Sequence, residues 1–409
     1  MKRTLLSTLV LVAGSICSMA QNGLTVIENP AEDSYGAACI SADGRYVAGS
    51  TVYGMLAFLY DTQTGTGTIF DAMDEDYGDM VLSVSNAGIG AGYGDVAYTF
   101  TMDGQLTAYP GFSILQGISS DGKFVVGNYK KSNTESGAAY YSWGKVVPLT
   151  EPTEDEVGFS MLGTYAKFVS ADSSIICGNI VDKSALMPAV IWRRTDDGSY
   201  KLDAFCTKYS TQADSSNPYM VFSPTGLSDN GEWVALWITT RDELGAIGRY
   251  NTKTEELQVY VFDGSNEDFT TDPVTSGIAN DGTLVGYTSY SDARLGFIWE
   301  AGKDEPQLLA KRFPLCIDFA DYDAEGYHAP SAISADGRYI AGIAELDYEY
   351  RSYVLDTKAA DEAYAAGIGA TSIVPDGKSA AEVYSIDGRR LSAPEKGLNI
   401  IHNKVVLKK

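Results

Sequence analysis

The sequence repeats one short signature seven times, and this repetition limits the possible folds more than any single residue does. In each copy an apolar residue leads into a turn and then into an apolar segment, as in ISADGRYVAG and ISSDGKFVVG. The spacing of neighbouring copies varies within the range that is typical of one supersecondary unit repeated along a chain. The copies begin at Ile40, Val84, Ile118, Val169, Leu227, Ile278 and Ile333.

Each copy predicts four antiparallel strands. In the first copy, strands over 37–41 and 45–49 flank an Asp-Gly turn, and an aromatic-rich third strand follows at 57–61. Polar turns then lead to fourth strands, such as the one predicted over 105–109. This pattern predicts an all-β fold, a seven-bladed β-propeller. Six or eight blades remain alternatives, because the second copy is short and lacks the Asp-Gly pair.

Two further patterns favour radial packing. The residue just before the signature is small in six of the seven copies, which suits strands that converge on a crowded axis. We expect the aromatic residues of the third strands to fill the wedges between blades. The seventh copy lacks a fourth strand, and a strand at 24–28 is predicted to complete it and close the ring. The residues before the signature are Cys39, Ser83, Gly117, Phe168, Gly226, Gly277 and Ala332, and the wedge residues are Phe58, Phe100, Trp143, Trp192 and Trp299.

The ends of the chain predict export. Lys2 and Arg3 precede a short apolar stretch at 5–12, and Ser18 and Ala20 fit a cleavage site, which is typical of a secretory signal peptide. No later apolar run is long enough to span a bilayer. The predicted domains are the signal peptide at 1–20, the propeller at 21–358, a linker at 359–379 and a small C-terminal β-hairpin domain at 380–409.

The C-terminal segment resembles the sorting domain of the bacterial type IX secretion system. The parts that carry the resemblance are Val383–Tyr384, Gly388–Arg389–Arg390, Lys396–Gly397–Leu398, Ile400–Ile401 and Lys404–Val405–Val406. Leu398 and Asn399 depart from the family pattern, which has an aromatic residue after the glycine. The resemblance implies the secretion machinery as a partner and display at the cell surface or outside the cell. A periplasmic location is the alternative.

The repeat itself resembles the HAF repeat of extracellular propeller-like proteins, best at 116–127 and at 277–287 with 296–299. It is also similar to the TolB-type periplasmic propeller repeat. Both resemblances imply a propeller, and neither implies a reaction.

Composition narrows the choice of partners. The formal net charge of −24 repels phosphate backbones and anionic membranes, so we expect no nucleic-acid partner. Cys39, Cys177, Cys206 and Cys316 remain after signal removal, and their positions in or beside strands favour buried thiols over a disulfide framework.

We call the connection from the fourth strand of one blade to the first strand of the next a crossing. The predicted site lies on the propeller face that carries the crossings and the loops between second and third strands, because functional residues usually lie on loops of a rigid scaffold. These crossings are acidic and contain aromatic residues. Asp321, Asp323 and Glu325 also have the spacing of a calcium loop, although Ala332 stands where a bidentate glutamate is expected. Calcium is the one candidate cofactor. The candidate ligand-binding residues are Asp74, Asp76, Tyr77, Asp268, Asp321, Tyr322, Asp323, Tyr327 and His328.

The sequence contains no zinc-protease, nucleophile-elbow or phosphate-loop motif, so no catalytic residue is assigned. This favours a binding protein for an extracellular glycan, protein or polymer over an enzyme. A glycoside hydrolase or lyase that uses paired carboxylates is one alternative. A structural component of the cell envelope is the other.

Overall fold

The computed structural model describes most of the chain between residues 22 and 365 and four short C-terminal strands. The described ranges are 22–27, 35–51, 56–70, 79–131, 135–182, 187–203, 205, 219–242, 244–266, 268–270, 272–290, 293–316, 328–346, 349–365, 383–385, 390–391, 397–401 and 404–408. Among these residues, no helix combines the length and the apolar character that crossing a membrane requires.

The described strands up to residue 356 pair into seven four-stranded antiparallel units. The third and fourth units are joined into one eight-stranded sheet through a single parallel bridge between Ser136 and Gly163. In chain order the units are β2 (Tyr35–Ile40), β3 (Tyr46–Thr51), β4 (Ala57–Asp61) and β5 (Thr66–Phe70); β6 (Met80–Val84), β7 (Ile89–Tyr93), β8 (Ala97–Thr101) and β9 (Leu106–Ala108); β10 (Ile114–Ile118), β11 (Val125–Lys130), β12 (Ser136–Ser142) and β13 (Lys145–Pro148); β14 (Met161–Val169), β15 (Ile175–Asp182), β16 (Ala189–Arg194) and β17 (Tyr200–Leu202); β18 (Tyr219–Leu227), β19 (Trp233–Thr240), β20 (Gly245–Asn251) and β21 (Leu257–Val261); β22 (Pro273–Ile278), β23 (Leu284–Tyr290), β24 (Ala293–Trp299) and β25 (Gln307–Leu308); and β26 (His328–Ile333), β27 (Tyr339–Leu346) and β28 (Glu349–Asp356) with β1 (Leu24–Ile27).

The first strands of the units form a closed ring. The strand β2 contacts β6, and the contacts continue in order through β10, β14, β18, β22 and β26 back to β2. The N-terminal strand β1 pairs antiparallel with β28 and supplies the fourth strand of the last unit. A ring of four-stranded antiparallel sheets around an axis is a β-propeller. The predictions of an all-β propeller and of its closure by the N-terminal strand are therefore confirmed.

The strands approach closely at the axis, where six of the seven units carry a small residue and the fourth carries Phe168. A Cβ atom on Gly117 would lie 2.7 Å from the carbonyl oxygen of Lys167, and one on Gly277 would lie 3.3 Å from the Cα of Ala332. Each first strand also has a register shift, a β-bulge, immediately before this small position. The bulge turns an additional residue of each strand towards the axis.

The repeated signature holds the turn between first and second strands. In the first unit, the Ser41 hydroxyl donates to Asp43 Oδ1 at 2.6 Å and accepts from the Tyr46 amide at 2.9 Å. Gly44 adopts a φ of +76°, a conformation that residues with a side chain rarely adopt. The same serine hydrogen bonds recur at Ser119 and Ser334. The signature is therefore a structural turn and not a ligand motif.

Four of the five predicted wedge aromatics are buried, and Trp143 is not. Phe58, Phe100, Trp192 and Trp299 are at most 2% exposed, whereas Trp143 is 97% exposed. The last ladder pair of β12 and β13 is Ser142 with Lys145, so Trp143 and Gly144 form the two-residue turn between these strands. Both turn residues have positive φ, 52° and 77°. The core prediction for Trp143 is wrong because the strand ends one residue before it.

Three helices have described bounds: Glu154–Val157, Leu309–Arg312 and Thr357–Ala365. The last of these continues from β28, and its Ala360 is buried in the core of the last unit. The domain boundary predicted after residue 358 falls inside this helix.

The three described cysteines lie in the interior. Cys39, Cys177 and Cys316 are each buried and form no disulfide with one another. Cys206 lies outside the described residues, so the prediction for its thiol stays a prediction.

The C-terminal strands form one further antiparallel sheet. The strands are β29 (Val383–Ser385), β30 (Arg390–Leu391), β31 (Gly397–Ile401) and β32 (Lys404–Lys408). Their order in the sheet is β30-β29-β31-β32, so β29 and β31 are the inner strands. The small C-terminal β-hairpin domain predicted from the sequence is thus present as four short strands.

Candidate functional site

Most residues of the predicted acidic site lie outside the described part of the chain. This applies to the candidate calcium ligands and to most of the candidate ligand-binding residues, so those assignments stay predictions. Among the described residues, no group of three or more His, Cys, Asp or Glu side chains is placed to hold a metal ion. The residues outside the description are Asp74, Asp76, Tyr77, Asp321, Tyr322, Asp323, Glu325 and Tyr327.

Asp268 lies on a described crossing and is held by a local ion pair. Its carboxylate accepts two hydrogen bonds from Lys311 Nζ, at 2.5 and 2.6 Å. Lys311 belongs to the helix Leu309–Arg312, so this pair ties the crossing between β21 and β22 to the end of the next unit. Both side chains are partly exposed, at 32% for Asp268 and 59% for Lys311. A ligand contact at Asp268 would therefore compete with Lys311.

His328 is placed in the core instead of on the crossing loop. It is the first residue of β26 and is 6% exposed. Its ring stacks on Tyr353 of β28 with centroids 5.1 Å apart and planes 18° apart. Burial lowers the pKa of His328 to about 3, so the imidazole is neutral at physiological pH. This environment is that of a packing residue and offers no surface to a ligand.

In a second acidic crossing, at 149–160, Glu151 and Glu156 also form local contacts. Glu151 forms an ion pair with Lys131 and accepts from the Thr164 hydroxyl at 2.8 Å. Thr153 caps the short helix that follows, and its backbone amide donates to the Glu156 carboxylate at 2.7 Å. These contacts hold the Glu151 and Glu156 carboxylates in place on the crossing.

The described surface contains an aromatic groove between the third and fourth units. We define the aromatic groove by Phe124, Tyr140, Trp143, Tyr200 and the polar residues beside them. It encloses about 420 Å³ at the end of the sheets that carries the signature turns, opposite to the predicted loop face. The other lining residues are Ser142, Lys145, Val147, Arg194, Asp197 and Gly198.

Three of the rings form a packed wall. Phe124 and Tyr140 stack with centroids 5.4 Å apart and planes 15° apart. Tyr140 and Tyr200 lie 5.1 Å apart at 58°. The Tyr200 hydroxyl donates to the carbonyl of Ser173 at 2.6 Å, and burial raises the pKa of Tyr200 to about 12. These contacts fix the wall before any ligand binds, while Trp143 stands exposed at its rim.

Arg194 and Asp197, two of the three charged residues that line the groove, form local hydrogen bonds. Asp197 accepts hydrogen bonds from the Thr195 hydroxyl and from the hydroxyl and amide of Ser199, the last two at 2.7 and 3.1 Å. These donors, Thr195 first, lower the pKa of Asp197 to about 2. Arg194 Nη1 donates to the Ser173 hydroxyl at 3.2 Å. The groove thus places a carboxylate that is ionised at neutral pH and a guanidinium beside an aromatic wall.

Sequence reasoning missed this groove for an identifiable reason. It placed Trp143 in the core and placed the site on the opposite face. The signal that could have found it is the Trp143-Gly144 pair between two alternating segments, which is typical of a two-residue hairpin turn. A tryptophan in such a turn lies beyond both strands and so points away from the core.

No protein-family model matches the chain, and no curated protein matches it. Solved structures with a similar fold include TolB from Acinetobacter baumannii (14% identity, TM-score 0.43, 65% of this chain and 63% of that chain). The chain therefore spans less than two thirds of that TolB. The β-propeller domain of Myceliophteria thermophila Cps50 (Swd1) matches with 11% identity and a TM-score of 0.49 over 81% of this chain and 99% of that chain. The β-propeller domain of the trilobed protease from Pyrococcus furiosus matches with 9% identity and a TM-score of 0.47 over 80% and 96%. Similarities at this level do not indicate a ligand or an activity for the chain.

Proposed function

We propose that the protein is an exported β-propeller that binds a glycan in the aromatic groove. One observation carries the proposal: the side chain of Trp143 is 97% exposed at the rim of a wall of three packed aromatic rings. Exposing an indole to water is unfavourable by the hydrophobic effect, and large exposed apolar surfaces mark binding sites. No fold requirement explains the residue, since the Trp143 turn position suits small polar residues better.

The groove has the two kinds of surface that a sugar needs. A pyranose ring presents an apolar face of C–H groups, which packs on aromatic rings, and a rim of hydroxyls, which form hydrogen bonds. Trp143 supplies the flat apolar surface, and Arg194 and Asp197 supply a donor and an acceptor beside it. A neutral glycan is also compatible with the strongly acidic chain, because it carries no charge for the field to repel.

The groove is better suited to binding than to hydrolysis. Glycoside hydrolysis needs two carboxyl groups, one of which must be protonated to act as the acid. Among the described lining residues of the groove, Asp197 is the one carboxyl group, and its pKa of about 2 keeps it ionised. The hydrolase or lyase alternative would therefore need carboxylates elsewhere on the molecule.

The proposed location is the cell surface or the extracellular space, with the periplasm as the alternative. The signal-like segment at 1–20 and the C-terminal segment that resembles a type IX sorting domain support export by that system. The resemblance of the repeats to HAF repeats supports an extracellular role. A comparison of the full chain with one lacking residues 380–409 in the producing bacterium tests this: we expect the shortened chain to stay in the periplasm.

The acidic loop face remains a second proposed contact surface, with calcium as its ion. The spacing of Asp321, Asp323 and Glu325 supports this part of the proposal. Calorimetric titration of the mature chain with Ca²⁺ tests it. Saturable binding that Asp323→Ala removes would support the site, and unchanged binding would contradict it.

The test of glycan binding is a polysaccharide array probed with the mature protein, read both for binding and for released products. Stacking of a flat ligand on an aromatic side chain is worth about 1–3 kcal/mol in nucleic-acid complexes, and a similar loss here would weaken binding by about 5- to 150-fold in Trp143→Ala. The matched control is Tyr364→Ala, because Tyr364 is also an exposed aromatic residue, 64% exposed, but lies on the helix Thr357–Ala365.

Three outcomes would overturn the proposal in different ways. Shortened products would indicate a hydrolase or lyase. Binding that Trp143→Ala leaves intact would place the glycan elsewhere on the molecule. Absence of binding to every glycan would favour a protein partner or a structural role in the envelope.

A further inference from the structure

The bulges of the first strands place one residue of each unit on the wall of the central channel. Each of these residues comes directly before the axis position of its strand, which is small in six units and is Phe168 in the fourth, and all seven line one cavity of about 170 Å³. The cavity is large enough for several water molecules or one small solute. The seven residues are Ala38, Leu82, Gln116, Lys167, Thr225, Ser276 and Ser331.

Lys167 is the one cation among the described residues of this channel wall, and its setting is unusual. The other six positions carry neutral side chains. Burial lowers the pKa of the Lys167 ammonium group below its usual value. Within the described part of the chain, no carboxylate forms an ion pair with Lys167. A partly desolvated cation without a counter-charge is costly in a fold, and a bound anion removes that cost.

We propose that the central channel binds one small oxyanion, a carboxylate or a phosphate group, at Lys167. The Gln116 amide and the Ser276 hydroxyl lie on the same wall and supply neutral donors for its oxygens. This site is separate from the aromatic groove and does not depend on glycan binding there.

Asp229 is the one carboxylate among the described residues that line the channel. It accepts from the Ser120 hydroxyl, and it belongs to the turn that follows β18, whereas Lys167 lies within β14. Burial raises the pKa of Asp229, which weakens its charge as a partner for a cation. The overall charge of −24 opposes the entry of any anion, so binding must come from the local field of Lys167.

The test is calorimetric titration of the mature chain at pH 7 with inorganic phosphate and, separately, with acetate. We expect saturable binding of one equivalent of at least one probe, and the two arms show which oxyanion the channel prefers. Lys167→Met shortens the side chain by one atom and removes its charge, so it should weaken binding at least tenfold. Lys123→Met is the matched control, because Lys123 is 81% exposed on a turn outside the channel lining, and it should bind like the wild type.

A second measurement, urea unfolding, shows whether the Lys167→Met substitution damages the fold. Without added anion, the Lys167→Met variant should unfold at the same or a higher urea concentration, because methionine needs no counter-charge. The proposal is overturned if neither probe binds, or if the Lys167→Met variant binds as tightly as the wild type. The glycan array repeated with this variant separates the two proposals, since it should leave glycan binding unchanged.

Discussion

Leu24 pairs with Leu355 in the antiparallel ladder that joins the first described strand to the last strand of the ring. The two ends of the propeller chain therefore meet in one sheet, and the edge that β28 would otherwise expose is covered. The neighbouring Ile27 is 1% exposed and packs with Ala37 and Ile40 of the first unit. The N-terminal strand thus seals the ring on two sides, through hydrogen bonds to the last unit and through apolar contacts with the first.

The first prediction concerns this closure. We expect Ile27→Ala to lower the free energy of unfolding by about 2–4 kcal/mol, because it leaves a cavity between the first and last units. Thr25→Ala is the control, since Thr25 lies on the same strand and is only half-buried. Urea unfolding followed by tryptophan fluorescence measures both. Equal midpoints for the two variants would show that the closing strand contributes little to stability.

The second prediction concerns the crowded axis. A Cβ atom on Gly277 would lie 3.1 Å from the amide nitrogen of Ile333. We expect Gly277→Val to cost about 1–3 kcal/mol or more, because the neighbouring backbone must move to make room. Ala38→Val is the control, since Ala38 faces the open channel. Thermal unfolding checks both variants, and a control that is as damaged as Gly277→Val would refute the packing argument.

The sequence predicts the fold well because close packing at the axis requires small residues at one position of most repeats. Strands that meet at the distances found at Gly117 and Gly277 exclude large side chains, so recurring small residues indicate strands that converge on an axis. The residues of the channel wall show no such pattern in the sequence. A bulge shifts the register by one residue, and the alternation of side chains along a strand does not show where that shift occurs. The position of Lys167 on the channel wall therefore could not be predicted.

The aromatic groove could not be predicted for a related reason. Trp143 follows a strand, whereas Trp192 and Trp299 lie within theirs, and this small difference changes the environment of the indole from core to solvent. The acidic residues of the crossings predicted a site on the loop face. However, carboxylates such as Glu151 and Asp268 form ion pairs with nearby lysines. The sequence shows how many carboxylates there are, but only the structure shows which of them form ion pairs.

The third prediction compares two of these tryptophans. Trp192 is fully buried, and its indole donates to the carbonyl of Thr150 at 2.7 Å. We expect Trp192→Ala to cost about 3–5 kcal/mol of stability, whereas Trp143→Ala should change stability by less than about 0.5 kcal/mol. Urea unfolding monitored by circular dichroism distinguishes them. A large loss for Trp143→Ala would mean that this residue supports the fold, and its role in binding would then need another explanation.

The fourth prediction concerns the stacked pair of His328 and Tyr353. Burial lowers the pKa of His328 from 6.5 to about 3 in the folded chain, whereas the unfolded chain keeps the ordinary value of about 6.5. Between these two values the unfolded state binds one proton more than the folded state does, so stability falls as the pH falls. The contribution is complete above about pH 6.5, and at pH 5 about 2 kcal/mol of it is lost, at about 1.36 kcal/mol per pH unit.

His328→Phe isolates this contribution because phenylalanine keeps a flat ring on Tyr353 and cannot be protonated. Carboxylates also titrate at low pH, but they do so in both proteins. Urea unfolding of the wild type and the variant at pH 7.5 and pH 5.0 therefore gives the histidine effect as a difference of differences. We expect the variant to lose about 2 kcal/mol less stability than the wild type between these pH values. An equal loss in both proteins would mean that His328 reaches water or a proton in the folded state, and its assignment as a packing residue would fail.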